Sequence, residues 1–143
     1  MQAISVEARS NAAPDRVWEP LADTASWADW APFDEAELES AGSPEPQGVG
    51  AVRRFRHGRR ETRERVVAFE PPRHFAYELL SGLPIRDYRA DVTLEPADGG
   101  TTIRWESRFR GKFPVPAALV KPALERFVRR TAEGVARAAE RSA

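Results

Sequence analysis

Residues 10–33 read SNAAPDRVWEPLADTASWADWAPF and bring three tryptophans, Trp18, Trp27 and Trp30, into two short helical segments. Immediately before them Ile4, Val6 and Ala8 alternate with Ser5, Glu7 and Arg9, the period of a half-buried strand. Pro14 suits the first position of a helix over 14–22, because its missing N–H would have no partner there anyway. Pro20 falls inside that helix, where it cannot donate to the backbone ladder and crowds the turn before it. The first helix is therefore expected to be short, kinked or 3₁₀-like, with a second over 26–30.

Downstream, alternating runs bounded by turn residues predict strands over 35–41, 49–57, 61–69, 74–81, 85–95 and 101–110. The breaks between them are Ser43-Pro44-Glu45-Pro46, Gly58, Pro71-Pro72, Gly82-Leu83-Pro84 and Asp98-Gly99-Gly100. Over 117–141, Val120, Leu124, Phe127, Val128, Thr131 and Val135 recur at three- and four-residue steps, the stripe of a helix with one buried face. At 1.5 Å per residue that helix spans roughly 37 Å, enough to cross a whole sheet. A sheet with one apolar face and a helix with one apolar stripe must bury those faces against each other. A strongly bent sheet does so by gripping the helix, which leaves room for a cavity between them.

The motif Ala13-Pro14-Asp15-Arg16-Val17-Trp18, followed by Leu21, Asp23 and the Trp27-x-x-Trp30-x-Pro32 ending, resembles the opening of the START-like, or SRPBCC, superfamily. Polyketide cyclases, Bet v 1-type allergens and lipid-transfer domains belong to that superfamily. Gly48-x-Gly50 before a strand, the Glu70-Pro71-Pro72-Arg73 turn and the long terminal helix follow in the same order, so the likeness covers essentially the whole chain. It implies an α+β helix-grip fold, a seven-stranded curved antiparallel sheet with two short helices and a long C-terminal helix enclosing a cavity. It also implies a ligand in that cavity.

With 143 residues the chain suits one domain, 1–143, with a real core. Its 22 basic and 22 acidic residues leave no net field for a polyanion, and no nucleic-acid partner is expected. Having no cysteine, it can form no disulfide, thiolate nucleophile or cysteine-ligated zinc site. Its first residues lack the pattern of a signal peptide, and no apolar run approaches the ~20 residues of a membrane span, so a cytoplasmic protein without stable membrane insertion is expected. Only Lys112 and Lys121 are lysines, an arginine bias that goes with GC-rich bacterial genomes.

Strand alternation nominates the cavity lining. Tyr88 and Ala90 share one face of their strand with Val92 and Leu94, as Trp105 and Phe109 share one with Ile103 and Ser107. Phe55, with Ala51 and Val49, and Tyr77 and Leu79, with Phe75, extend it, and Leu119 and Phe127 approach from the helix. The 61–69 strand has no clear phase, since Val66 and Val67 point to opposite faces. Tyr88, Trp105 and Phe127 are expected to converge on one cavity. In a run of hairpins every second turn lies at the same end, which brings together the 30–33, 57–60, 81–84 and 111–116 segments as a mouth with Trp30, Leu83 and Phe113 at its rim.

Chemical candidates are sparse. His57 and His74 have no metal-ligand spacing, no Gly-x-Ser-x-Gly nucleophile elbow occurs, and neither metal nor cofactor is expected. The arginines between Arg53 and Arg65 alternate with Glu61 and Glu64 and can pair with Asp34, Glu35, Glu37 and Glu39, which favours a solvated charge ladder over a nucleic-acid patch. Arg53, beside Phe55, and Arg86, beside Tyr88, fall on faces read as inward, where a charge needs a partner or a ligand unless its guanidinium reaches solvent at a strand end. Three functions remain open: a carrier of a small hydrophobic or amphipathic molecule, an enzyme of the polyketide cyclase or dehydratase type using Arg53, Glu64, Arg86 or Tyr88 for acid-base help, and an adaptor with a filled interior.

Overall fold

The structure, a computed structural model, describes residues 1–141. Strand β1 (Gln2–Ser10) leads into α1 (Pro14–Ala22), a 3₁₀ turn (Thr24–Ser26) and α2 (Trp27–Trp30). Six strands follow: β2 (Glu35–Ser40), β3 (Val52–His57), β4 (Arg60–Glu70), β5 (His74–Ser81), β6 (Ile85–Ala97) and β7 (Gly100–Gly111). The chain closes with α3 (Ala117–Arg141). All neighbouring strands pair antiparallel, in the order β1-β7-β6-β5-β4-β3-β2. Each hairpin lays the next strand beside the last, and β1 completes the sheet against β7 while the two short helices carry the chain to the far edge.

Alternation explains the inner face. On β7, Ile103, Trp105, Ser107 and Phe109 are buried while Glu106 and Arg108 are exposed. On β4 the inward set is Thr62, Glu64 and Val66, and an irregularity between Val66 and Ala68 accounts for the lack of a clear phase in that run. Helix α1 accommodates Pro20 in its last turn and buries Val17, Trp18 and Leu21. Trp18 meets Phe69 and Phe75 edge-on, with ring centroids 5.2 and 6.0 Å away.

The two halves of α3 pack differently, and the difference makes the cavity. Its C-terminal half presents Ala132, Gly134, Ala136 and Ala139, small enough for close approach to β1 and to the short helices. At Gly134 a Cβ would overlap the carbonyl oxygen of Trp30, so any side chain would push the helix off α2. Towards its N-terminus larger side chains, Val120, Leu124 and Phe127, hold it away from the sheet.

Two expectations about the strands change. Strand β3 begins at Val52 and not at 49, because Gly50 takes a φ of +90° and turns the chain there, leaving Val49 exposed. Arg86 does not share a face with Tyr88. A bulge between Arg86 and Arg89, with Asp87 at φ +56°, inserts an extra residue, so Ile85 and Tyr88 both point inward and Arg86 points out. The Arg86 side chain is exposed and donates from Nε to the Gly111 carbonyl at 3.0 Å.

Candidate functional site

A cavity of about 390 Å³ lies between the sheet and the N-terminal half of α3. The helix supplies Val120, Ala123, Leu124 and Phe127, and the sheet supplies Thr62, Glu64, Tyr77, Leu79 and Tyr88. Phe33 and the β3–β4 and β5–β6 turns, through His57, Arg60, Leu83 and Pro84, form one end. A larger depression of about 550 Å³ on the outer side, bounded by Met1, Glu78, Asp87, Arg89, Arg108 and Arg110, is open and charged, a place for water and not for an apolar ligand.

Beneath the cavity lies a buried ion pair. Arg53 on β3 is directly opposite Glu64 on β4, and its Nη2 donates to Glu64 Oε1 at 2.6 Å. The guanidinium is 1% exposed and sits within a box of rings, 4.3 Å from the Trp27 centroid and 5.0 to 5.1 Å from those of Phe55, Phe75 and Tyr77. Ring faces attract a cation, which offsets part of the desolvation cost. Arg53 Nε and Nη1 nevertheless have no hydrogen-bond partner among the described residues. Glu64 faces the cavity with a second oxygen, Oε2, that no hydrogen-bond donor among the described residues engages. Burial pushes its carboxyl above the usual range, and the Arg53 charge and hydrogen bond pull it back in part.

Two tyrosines complete the polar floor. Trp105 Nε1 donates to the Tyr77 hydroxyl at 3.2 Å, and the Tyr77 hydroxyl in turn interacts with that of Tyr88. Burial holds Tyr77 well above its ordinary value, with the neighbouring Tyr88 and Glu64 adding to the rise. Tyr88 is pushed up to about 12, again mainly by burial. Both therefore remain protonated at neutral pH and serve as neutral hydroxyl groups.

Of the residues nominated from the sequence, Glu64, Tyr77, Leu79, Tyr88, Phe127 and Leu83 reach this cavity. Phe55, Ala90, Trp105 and Phe109 share the inward face but lie in filled core; Trp105 is sealed by Trp27 and Tyr77, with centroids 5.9 and 6.4 Å away. The expected convergence of Trp105 with Tyr88 and Phe127 on one void is thus corrected. Leu119 is 74% exposed, because one residue before Val120 puts it about 100° round the helix from the cavity stripe. Phe113, 96% exposed, projects from the loop without lining the cavity. Trp30 packs on Trp27 and donates to Ser26 Oγ instead of forming a rim. Phe33, Thr62, Val120 and Leu124 were not nominated, although Val120 and Leu124 already stood in the helical stripe.

Four of the remaining arginines form the expected ladder: Arg54 pairs with Glu37, Arg56 with Glu35 at 3.0 Å, Arg63 with Glu39 at 2.6 Å and Arg65 with Glu78 at 3.2 Å. His74 is not a lone surface histidine, since its two ring nitrogens lie 2.9 Å from Glu70 and 2.7 Å from Asp91. Among the described residues no three His, Cys, Asp or Glu side chains group as a metal site requires, and no helix is long and apolar enough to cross a membrane.

A curved seven-stranded antiparallel sheet closed over a long C-terminal helix, with a cavity between them, is the helix-grip architecture. The chain belongs to the polyketide cyclase / dehydrase and lipid transport family, which it matches over residues 1–141. Solved structures agree in fold. A START superfamily protein from Mycobacterium smegmatis superposes with a TM-score of 0.83 at 13% identity, over 99% of each chain. The Zhui aromatase/cyclase from a Streptomyces species does so with 0.79 at 21%, over 98% of this chain and 94% of that one. Ara h 8.0201 gives 0.77 at 15%, over 98% of both. No curated protein matches the chain in sequence.

Proposed function

We propose that the cavity takes up a small hydrophobic or amphipathic molecule, lipid-like or polyketide-like, without a cofactor. The observation that carries this reading is the space of about 390 Å³ walled on the helix side by Val120, Ala123, Leu124 and Phe127 and closed below by Leu79 and four polar side chains, Thr62, Glu64, Tyr77 and Tyr88. A void this size with mostly apolar walls gains free energy when an apolar body displaces its water. Family membership supports a hydrophobic ligand or a cyclase role.

The cyclase or dehydratase reading has its own observation, the convergence of Glu64, Tyr77 and Tyr88 on one floor. A carboxylate with a raised pKa can take a proton from a carbon beside a ketone, and a tyrosine O–H can donate to the oxygen that becomes negative. Arg86 has no part in this, because it points away. Arg53 acts only through Glu64.

Native mass spectrometry of protein purified from its own host tests the carrier reading. A small apolar molecule released on denaturation, and missing from a Leu79→Trp variant whose ring fills the space, is the expected result. Incubation with a poly-ketone chain tests the other, which predicts product formation that disappears in Glu64→Gln.

A further inference from the structure

The floor of the cavity identifies the head group that a ligand can carry, granted that the cavity holds one. Among the described residues Glu64 is the only carboxylate lining it, and its Oε2 has no donor. An oxygen in that state needs a donor from whatever fills the space. The charge of Glu64 is already matched by Arg53 at 2.6 Å, so the pair as a whole is neutral. Facing it are the two tyrosine hydroxyls and, from α3, Val120, Ala123, Leu124 and Phe127, none of which carries a charge.

An anionic head against this floor would set two carboxylates and one guanidinium in a dry space. An ammonium head would set two cations and one carboxylate there. Either leaves an unmatched buried charge, which a low-dielectric site penalises strongly. A neutral hydroxyl leaves none, and it supplies the missing donor. Its own oxygen can accept from one of the two tyrosine hydroxyls on the same floor.

We propose that the cavity selects amphipathic molecules whose buried head is a neutral hydroxyl, an alcohol or a phenol, donating to Glu64 Oε2, and that it rejects carboxylate and ammonium heads on the same tail. His57 and Arg60 do not reverse this preference. Both are exposed, and Arg60 Nη1 is engaged by the Gly82 carbonyl at 2.7 Å.

The test is a displacement titration at neutral pH, using an environment-sensitive apolar dye and four probes that share one body: para-hexylphenol, para-hexylbenzoate, para-hexylbenzylamine and hexylbenzene. The phenol is expected to bind at least about tenfold tighter than the benzoate and the ammonium, the factor that one unmatched buried polar group costs, and more tightly than headless hexylbenzene. In Glu64→Gln, which frees the Arg53 charge, the benzoate should overtake the phenol. The wild-type order decides the inference even where that variant does not fold. A benzoate or ammonium probe that equals the phenol overturns it, as does hexylbenzene binding as well as the phenol. So does a benzoate preference that vanishes in Arg60→Gln, which would place recognition at the mouth. If the dye saturates a single site and no probe displaces it, the head-group inference fails and the cavity reading stands. If the dye does not enter at all, both fall.

Discussion

Arg53 and Glu64 face each other across β3 and β4 on the concave side of the sheet, while Arg54 and Arg63 on the same two strands pair with Glu37 and Glu39 on the outer side. The same residue types thus play two roles, separated by one step of strand alternation. Exposed pairs contribute little, since water screens them and two long side chains must be ordered. The concave pair differs because neither partner can return to water alone.

Removing both members should accordingly cost less than the sum of removing each alone. Arg53→Met leaves Glu64 buried without its cation, and Glu64→Leu leaves the guanidinium among its rings without an anion. Breaking a buried pair this way typically costs about 3–5 kcal/mol. A double-mutant cycle followed by urea denaturation should show the double variant losing less than the sum of the singles, by more than about 1 kcal/mol. Additive losses would mean that the two side chains do not act as a unit.

Trp105 and Phe127 separate core from cavity. Trp105→Ala should lose the full amount for a buried large aromatic, about 3–5 kcal/mol, since the ring is 0% exposed and its N–H holds Tyr77. Phe127 borders the existing void and meets Phe33 with centroids 5.2 Å apart, so Phe127→Ala should cost less and still alter dye uptake. Chemical denaturation of both variants checks the order. Equal losses would place both rings in the same environment.

Helix phase gives a third contrast. Leu119→Asp, at a position 74% exposed, should change stability by no more than about 0.5 kcal/mol. Leu124→Asp, at 8%, puts a carboxylate under α3 and should lower the melting temperature sharply and abolish dye uptake. Comparable melting of the two would contradict the assigned stripe.

His74 ties β5 to β6 and to the end of β4 in a pH-dependent way. Burial alone would lower its pKa, but the Glu70 and Asp91 carboxylates raise it above 6.5. Burial would raise Asp91, yet Arg89 and His74 hold its carboxyl below the ordinary range. The folded state therefore binds the histidine proton more tightly than the unfolded chain does, so this stability is fully present below the unfolded value and fades as pH rises through the folded one. His74→Gln should lower the melting temperature more at about pH 5.5 than at about pH 9. An equal drop at both would show that the imidazolium charge contributes nothing.

How much of this was readable in the chain follows from the length of each signal. The long α3 stripe and the strand alternations extend over many residues, so Tyr77, Leu79, Tyr88 and Phe127 could be assigned a face before any contact was known, whereas the 61–69 run that carries Glu64 could not. A single inserted residue at Asp87 left no such trace, and it reversed Arg86. The pairing of Arg53 with Glu64 was present in a form that was not used: a tight turn at Gly58-Arg59 sets His57 opposite Arg60, and counting back along both strands brings 53 opposite 64. Trp105 and Phe55 show the limit of alternation. It separates inner from outer face, but whether an inward side chain meets a void or a neighbouring ring depends on how closely α3 approaches, which Gly134 and the alanines around it determine.

The claim that the space beneath α3 is a binding cavity is tested most directly by titrating an environment-sensitive apolar dye into the wild-type protein and into Leu79→Trp, with the melting temperature of each recorded alongside. The account predicts saturable uptake at one site in the wild type and its loss in a variant that stays folded. Absence of saturable uptake in the wild type, or undiminished uptake once the indole occupies the space, would contradict it.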